Sequence, residues 1–550
     1  MDRRIRHGLL TGLVLGMVAC AETPKPATTP LFDGLGHHHR AVTTKSKQAQ
    51  RYVDQGIVFM YAFNHDEAIR SFRQAAEFDP HCAMAWWGIS LANGPHINNP
   101  IMPPERSQAA WEALQKARET ASKATATERA LIEALGSRYA DPPPADRSAL
   151  EQGYADAMRR VWQEHPNDAD VGALFAEAMM DLRPWNLWLP DGTPQPGTAE
   201  ILTTLRAVLT LDADHPLANH LLIHAVEASP HPGEGLDAAD RLRTLVPGAG
   251  HLVHMPAHIY ARVGRWKEAS EANEKAIVAD REYRKRSPVQ EFYNVYMAHN
   301  HHFLAWASMM QGQSALSIQA AREMIAGVPP DFLQAAAFFA DGYMTIGLEA
   351  LMRFGKWDEI LQEPAPPAFL PITTAHRFFA RGVAYAAKGE VEKAKAEREL
   401  FRAAVANITP DQVVGNNPAQ QVLRIAAHLL DGEIAYQEGH MDESIAALTA
   451  GVAVEDSLKY NESPDWLQPV RHTLGGVLLE AGKLPEAEAV YRADLQRWPE
   501  NGWALFGLSQ CLSLRQANAE AREVDARFAK AWAQADIKLD KTCLCLHKPM

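Results

Sequence analysis

From Arg51 onward, apolar residues recur three and four positions apart in long runs. Short turns rich in Gly, Asn or Asp separate the runs, and period-two alternation is nearly absent. This pattern predicts amphipathic helices and an all-α fold. Tyr52, Gly56 and Phe59 fall on one predicted helix; Ala68, Phe72 and Ala75 fall on the next, which stops at Asp79-Pro80. Small residues let paired helices approach, and large ones fill the gaps between them. Gly475, Leu478, Ala487, Tyr491 and Pro499 repeat the arrangement late in the chain, and Gly382, Tyr385 and Ala394 repeat it in the middle. Gly264-Arg265-Trp266, Gly312-Gln313, Gly355-Lys356-Trp357, Gly389-Glu390, Gly439-His440 and Gly482-Lys483 sit where the two helices of a hairpin join.

This spacing resembles the tetratricopeptide repeat, a helical hairpin of about 34 residues. The resemblance covers most of residues 49–535. It implies a superhelical solenoid of tetratricopeptide-type helical hairpins, whose concave groove is lined by the first helix of each unit and holds a protein or peptide ligand. We divide the body into an N-terminal region with long loops (49–245) and a C-terminal array (246–535). The pattern weakens at Asp141-Pro142-Pro143-Pro144 and across the aromatic, proline-rich stretch from Arg183 to Gly192, which is followed by Pro194, Pro196 and Gly197. Long loops of this kind often carry function. Irregular structure is also expected at 280–288 and 363–371.

The N-terminus has a different character. Arg3, Arg4 and Arg6 precede an apolar stretch from Leu9 to Val18, too short to span a bilayer comfortably. Met17-Val18-Ala19-Cys20 resembles the lipobox of bacterial lipoproteins, although that pattern prefers Leu where Met17 stands. The resemblance implies a signal peptide at 1–19, lipid attachment at Cys20, and a flexible Pro- and Thr-rich tether at 20–48. Ala21 follows the cysteine, so the resemblance further implies a lipid anchor in the outer membrane, with the body facing the periplasm or exposed at the surface. The net charge of -13, without a basic stripe, argues against a nucleic-acid partner. Of five cysteines, Cys82 and Cys511 read as core thiols. Cys543, Cys545 and His547 form a soft-ligand cluster in a tail (536–550) expected to fray; they could bind a metal or form a disulfide.

Histidine is where candidate chemistry enters. Ten of the 23 lie between His215 and His302, where even spreading gives roughly four. His220, His224 and Glu227 follow i, i+4, i+7 spacing. His251, His254 and His258 follow i, i+3, i+7, and His299 and His302 are three apart. Such offsets share a helical face, and two imidazoles at i, i+4 can reach one cation. Aligned on Gly264 and Gly312, these residues take matched first-helix positions in three successive units. The family resemblance assigns those positions to the groove. The eight residues are therefore candidate ligands for a divalent transition metal: zinc, copper or iron. Met255, Met297, Met309 and Met310 bring copper into consideration, although core filling is their simpler role. Leu221 stands where a zinc peptidase would carry its glutamate.

Weaker candidates are His37-His38-His39, the turn Asn64-His65-Asp66, His96 in the loop Gly94–Pro100, His376, His472, and Trp185 and Trp188 as stacking or plugging residues. The sequence reading is a membrane-anchored scaffold whose groove carries a histidine-rich metal site. The alternatives are a metal-dependent enzyme, with Glu227 as general base and the Trp185–Gly192 loop as lid, and a periplasmic metal carrier.

Overall fold

The computed structural model describes residues 29–546; the leader segment, Cys20 and His547 lie outside them. Among the described residues the chain is all-α, apart from a two-residue antiparallel ladder at Val413–Val414 and Asn417–Pro418. Successive helices pair as antiparallel hairpins, from Lys47–Tyr61 with His65–Phe78 to Gly502–Leu514 with Asn518–Ala531.

The turn glycines explain the repeat locally. Gly264, Gly312, Gly355, Gly389, Gly439 and Gly482 all have φ between 64° and 81°, the left-handed conformation that ends a helix without a Cβ penalty. Where the turn lacks glycine, Phe63 (φ 54°) and Gln516 (φ 62°) adopt the same conformation. Small residues in the helices serve close packing. A Cβ on Gly56 or Gly88 would lie 2.7 or 2.5 Å from the Phe72 ring, so that ring is clamped between two helices. Tyr491 is held in the same way between Gly475 and Gly507.

Two apolar cores result, one built mainly from residues 49–354 and one from residues 348–546. The C-terminal hairpins also pack back on the middle of the chain. Trp266 Nε1 donates to Pro499 O at 2.8 Å, and Trp503 Nε1 donates to Met309 O at 2.7 Å. No helix among the described residues is long and apolar enough to cross a membrane.

Three expectations differ from the structure. Residues 29–46, read as tether, lie along the first hairpins. Arg40 pairs with Asp168 and Asp170, and Tyr52 Oη donates to Thr29 O at 2.7 Å. Buried partners far along the chain hold this segment, so its composition alone is a poor guide. Residues 280–286 are not irregular: the helix Trp266–Arg286 runs through them because Asp280 and Tyr283 are buried beneath a charged outer face. The tail does not fray up to residue 546. Cys543 and Cys545 form a disulfide, and Thr542, Cys545 and Leu546 are buried against the second core. The loop at 363–370 is as expected, with the next helix starting at Pro371.

Candidate metal centre

Three stretches deliver the histidines. The helix Pro216–Val226 carries His220 and His224, with Glu227 at its C-cap. The next first helix is broken into Gly250–His254 and Pro256–Arg262. Proline lacks the N–H that would continue the ladder, so Pro256 starts the second piece. The two pieces carry His251, His254 and His258. The helix Asn294–Met310 carries His299 and His302. A Cβ at Gly250 would lie 2.1 Å from Asp280 Oδ1, so only glycine lets that carboxylate approach. Asp280 accepts from Tyr293 Oη and Asn300 Nδ2, and Tyr293 Oη in turn accepts the His251 backbone N–H.

The rings form two triads. The ligating atoms of His220, His224 and His251 all lie within 4.8 Å of one another, as do those of His254, His258 and His299. His220 Nε2 is 3.1 Å from both His224 Nε2 and His251 Nε2, and His254 Nε2 is 2.6 Å from His258 Nε2. All are buried except His299, whose side chain is 17% exposed.

The far nitrogens decide what these short distances mean. His220 Nδ1 faces Tyr61 O at 2.8 Å, a group that only accepts. His254 Nδ1 faces Asn273 Oδ1 at 2.7 Å, and Asn273 Nδ2 already donates to Ala269 O, which fixes the amide orientation. His224 Nδ1 and His258 Nδ1 face the two oxygens of Glu227 at 2.9 and 2.8 Å. All four rings therefore carry their proton on Nδ1, and their Nε2 lone pairs converge. Neutral lone pairs at 2.6–3.1 Å repel, and a shared cation or proton relieves the repulsion. A histidine ligand whose other nitrogen donates to a carbonyl or carboxylate is the usual supporting arrangement for a metal.

The electrostatics agree. Burial lowers His220, His251, His254 and His299 well below the ordinary imidazole range, and neighbouring imidazoles lower them further. Burial also works against a charge on His224, but hydrogen bonds to Glu227 and Glu462 outweigh it and raise its pKa. Glu227 is held well below the usual carboxylate range despite its burial, by His258, Glu462 and His224. Glu462 is pushed well up by burial and by the Glu227 charge.

Glu462 and Tyr460 belong to the loop between Met441–Asp456 and Val470–Glu480. Glu462 lies 2.8 Å from His258 Nδ1, 3.5 Å from His224 Nδ1 and 3.9 Å from His299 Nε2. Tyr460 Oη donates to Glu227 at 3.2 Å. The sequence offered no signal for either residue, nor for Tyr61 and Asn273. His302 points elsewhere: its Nδ1 lies 3.2 Å from Ser463 Oγ, its ring meets Tyr343 edge-on, and burial lowers it to about 4.

Phe63 and Trp185 (φ 60°) set their rings 6.2 and 5.4 Å from His224. A left-handed backbone is costly for bulky residues, so two strained positions flank the triads. Beside them a cavity of about 700 Å³ reaches His251, His299, His302 and Glu462. Its walls are largely aromatic and aliphatic, including Trp185, Phe292, Tyr296 and Phe339. His65 and His96 meet as tilted rings, centroids 4.2 Å apart, in another wall, and burial lowers His65 to about 3.

Other sequence candidates lie apart from this centre. His38 and His215 approach Asp170 at 3.0 and 3.1 Å, but Arg40 already supplies the cation there. His376 pairs with Glu349, and His472 with Asp494. Trp188 Nε1 donates to Ala225 O. Met255, Met297, Met309 and Met310 fill the core.

No family model matches this chain, and no curated protein does. Solved structures with matching chains include a human IFIT1 dimer with PPP-AAAA, at 13% identity over 90% of this chain and 92% of that one, TM-score 0.33. They also include the P58(IPK) TPR domain, at 12% identity over 86% and 99%, TM-score 0.22. The architecture rests on the hairpins themselves.

Proposed function

We propose that this chain is an exported, lipid-anchored metalloenzyme with two transition-metal ions buried in its repeat array. His220, His224 and His251 hold one ion; His254, His258 and His299 hold the other. Zinc, copper and iron all suit imidazole donors. The observation that carries this reading is the convergence of Nε2 lone pairs whose tautomers are fixed from behind. Glu227 adds negative charge of the kind that buried divalent ions require. Bound metal supplies Lewis-acid polarisation of a ligand oxygen.

Two features favour an enzyme over a groove-binding scaffold or a carrier. The histidine-bearing face is covered by other segments of the same chain, including Phe63, His96, Trp185 and Glu462. Four of the six ligands are held from behind through Nδ1, which favours a resident ion over an exchanging one. The adjoining cavity suits a mostly apolar small molecule with one polar end toward Glu462. Both Glu227 oxygens are engaged closely by imidazole N–H groups, so the proton-transfer role passes to Glu462, whose Oε1 lies 3.5 Å from His224 Nδ1 and which lines the cavity.

The test is elemental analysis of protein purified without a tag, alongside the His220→Ala, His254→Ala, His258→Ala variant. Two equivalents of metal in the wild type and none in the variant are expected. Equal, negligible metal in both removes the proposal.

A further inference from the structure

A second cluster of ligating groups lies in the other core. Cys543 and Cys545 reach Glu433 of the helix Ala419–Gln437, with their ligating atoms all within 4.8 Å of one another. Glu433 is 2% exposed, and its Oε2 has no hydrogen-bond partner. A buried carboxylate oxygen aimed at two sulfurs is costly unless something binds it. The two sulfurs are joined as a disulfide, which cannot ligate as thiolate. Cys543 is only half-buried, so a small reductant can reach it. Arg353 lines the same small cavity.

We propose that this cluster is a redox-gated zinc site, formed by Cys543, Cys545 and Glu433 once the disulfide is reduced. An external dithiol is the reductant. Its two S–H groups give up two electrons and two protons, it closes to a disulfide, and the Cys543–Cys545 bond opens to two thiols. Zinc then displaces both thiol protons to solvent and takes two thiolates, the Glu433 carboxylate and a water. The site is independent of the histidine centre, which contains no sulfur ligand.

The probe is cobalt(II), whose thiolate charge-transfer absorption marks sulfur ligation and is not produced by imidazoles. The full chain is reduced with dithiothreitol, desalted under nitrogen and titrated with cobalt, then with zinc. Reduction should create one additional cobalt equivalent carrying the charge-transfer band, and zinc should abolish the band. Cys543→Ser should lose the band while keeping the melting profile. Glu433→Gln, which leaves both thiols in place, should keep the band but weaken zinc binding by about tenfold or more. Absence of the band in reduced wild type, its persistence in Cys543→Ser, or unchanged zinc affinity in Glu433→Gln would overturn the proposal. Because the band requires sulfur, failure here does not touch the histidine centre, and failure there does not produce or remove the band.

Discussion

Replacing His251 with phenylalanine separates the cost of an unoccupied imidazole cluster from the benefit of a metal. His251 is 2% exposed, and its Nδ1 has no hydrogen-bond partner. Its ring already sits among aromatics, 4.4 Å from Tyr296 and 5.7 Å from Phe63. Phenylalanine preserves the shape and removes a buried polar atom that costs about 1–3 kcal/mol when unsatisfied. Metal-free protein should therefore become more stable. The same change deletes one of three ligands facing His220 and His224. At a metal concentration of about 100 Kd, an intact site gains about 2.7 kcal/mol of stability. If losing the ligand weakens affinity about a hundredfold, the gain from that site falls to about 0.4 kcal/mol. Calorimetric melting with chelator and with graded metal reads both effects on one variant. The expected outcome is a higher transition without metal and a smaller metal-induced rise. A lower metal-free transition together with an undiminished metal response would refute the reasoning, since it would show that His251 serves packing alone.

Three further outcomes test the surrounding groups. Glu227→Gln keeps the shape but removes the anion that orients His224 and His258; chelator competition should show metal affinity reduced about 10–100-fold. Glu462→Gln should retain full metal content, and once a substrate is in hand it should lower kcat far more than KM, whereas a purely structural role would change metal content instead. Glu455 is buried and pushed from 4.5 up to about 7, mainly by desolvation. The folded state thus binds its proton more tightly than the unfolded chain, so this contribution to stability is full below about pH 4.5 and is lost as pH rises through 7. Because Gln can still accept from the Val470 N–H, Glu455→Gln should flatten that decline by up to about 3 kcal/mol, read as denaturant midpoints at successive pH values.

What could be read from the sequence was what depends on near neighbours in the chain. Helices and turns were visible because apolar spacing and left-handed glycines act within one hairpin. His220 with His224, and His254 with His258, were visible because i, i+4 spacing fixes a shared face. His299 and His302 show where that inference stops. They are three apart on one helix, yet one ring turns to the triad and the other to Ser463 and Tyr343. Tyr61 contributes a backbone carbonyl, which has no side-chain signature. Glu462 lies in a polar loop, Asn461-Glu462-Ser463-Pro464-Asp465, that reads as a turn and meets Glu227 across most of the array. Phe63 carries no chemistry in the sequence, and only its ring contacts with His220 and His224 place it beside the site.

The repeat itself accounts for how so many imidazoles gather. Each hairpin places the same face of its first helix beside that of the next, so a residue type repeated at matched positions becomes a column of neighbours. A straight column would leave its imidazoles spaced one repeat apart. Pro256 breaks the middle helix between His254 and His258, and the ring centroids of those two end 4.6 Å apart while His251 turns toward His220. The column thus divides into two triads, the first drawing its rings from two helices and the second from three. Glu227 closes the division by accepting from one ring of each triad, which couples the orientation of both through a single carboxylate. Glu462 then enters from the second core and meets both triads. The carboxyl group nearest both triads therefore joins them only when the C-terminal hairpins are docked, although all six imidazoles come from earlier in the chain.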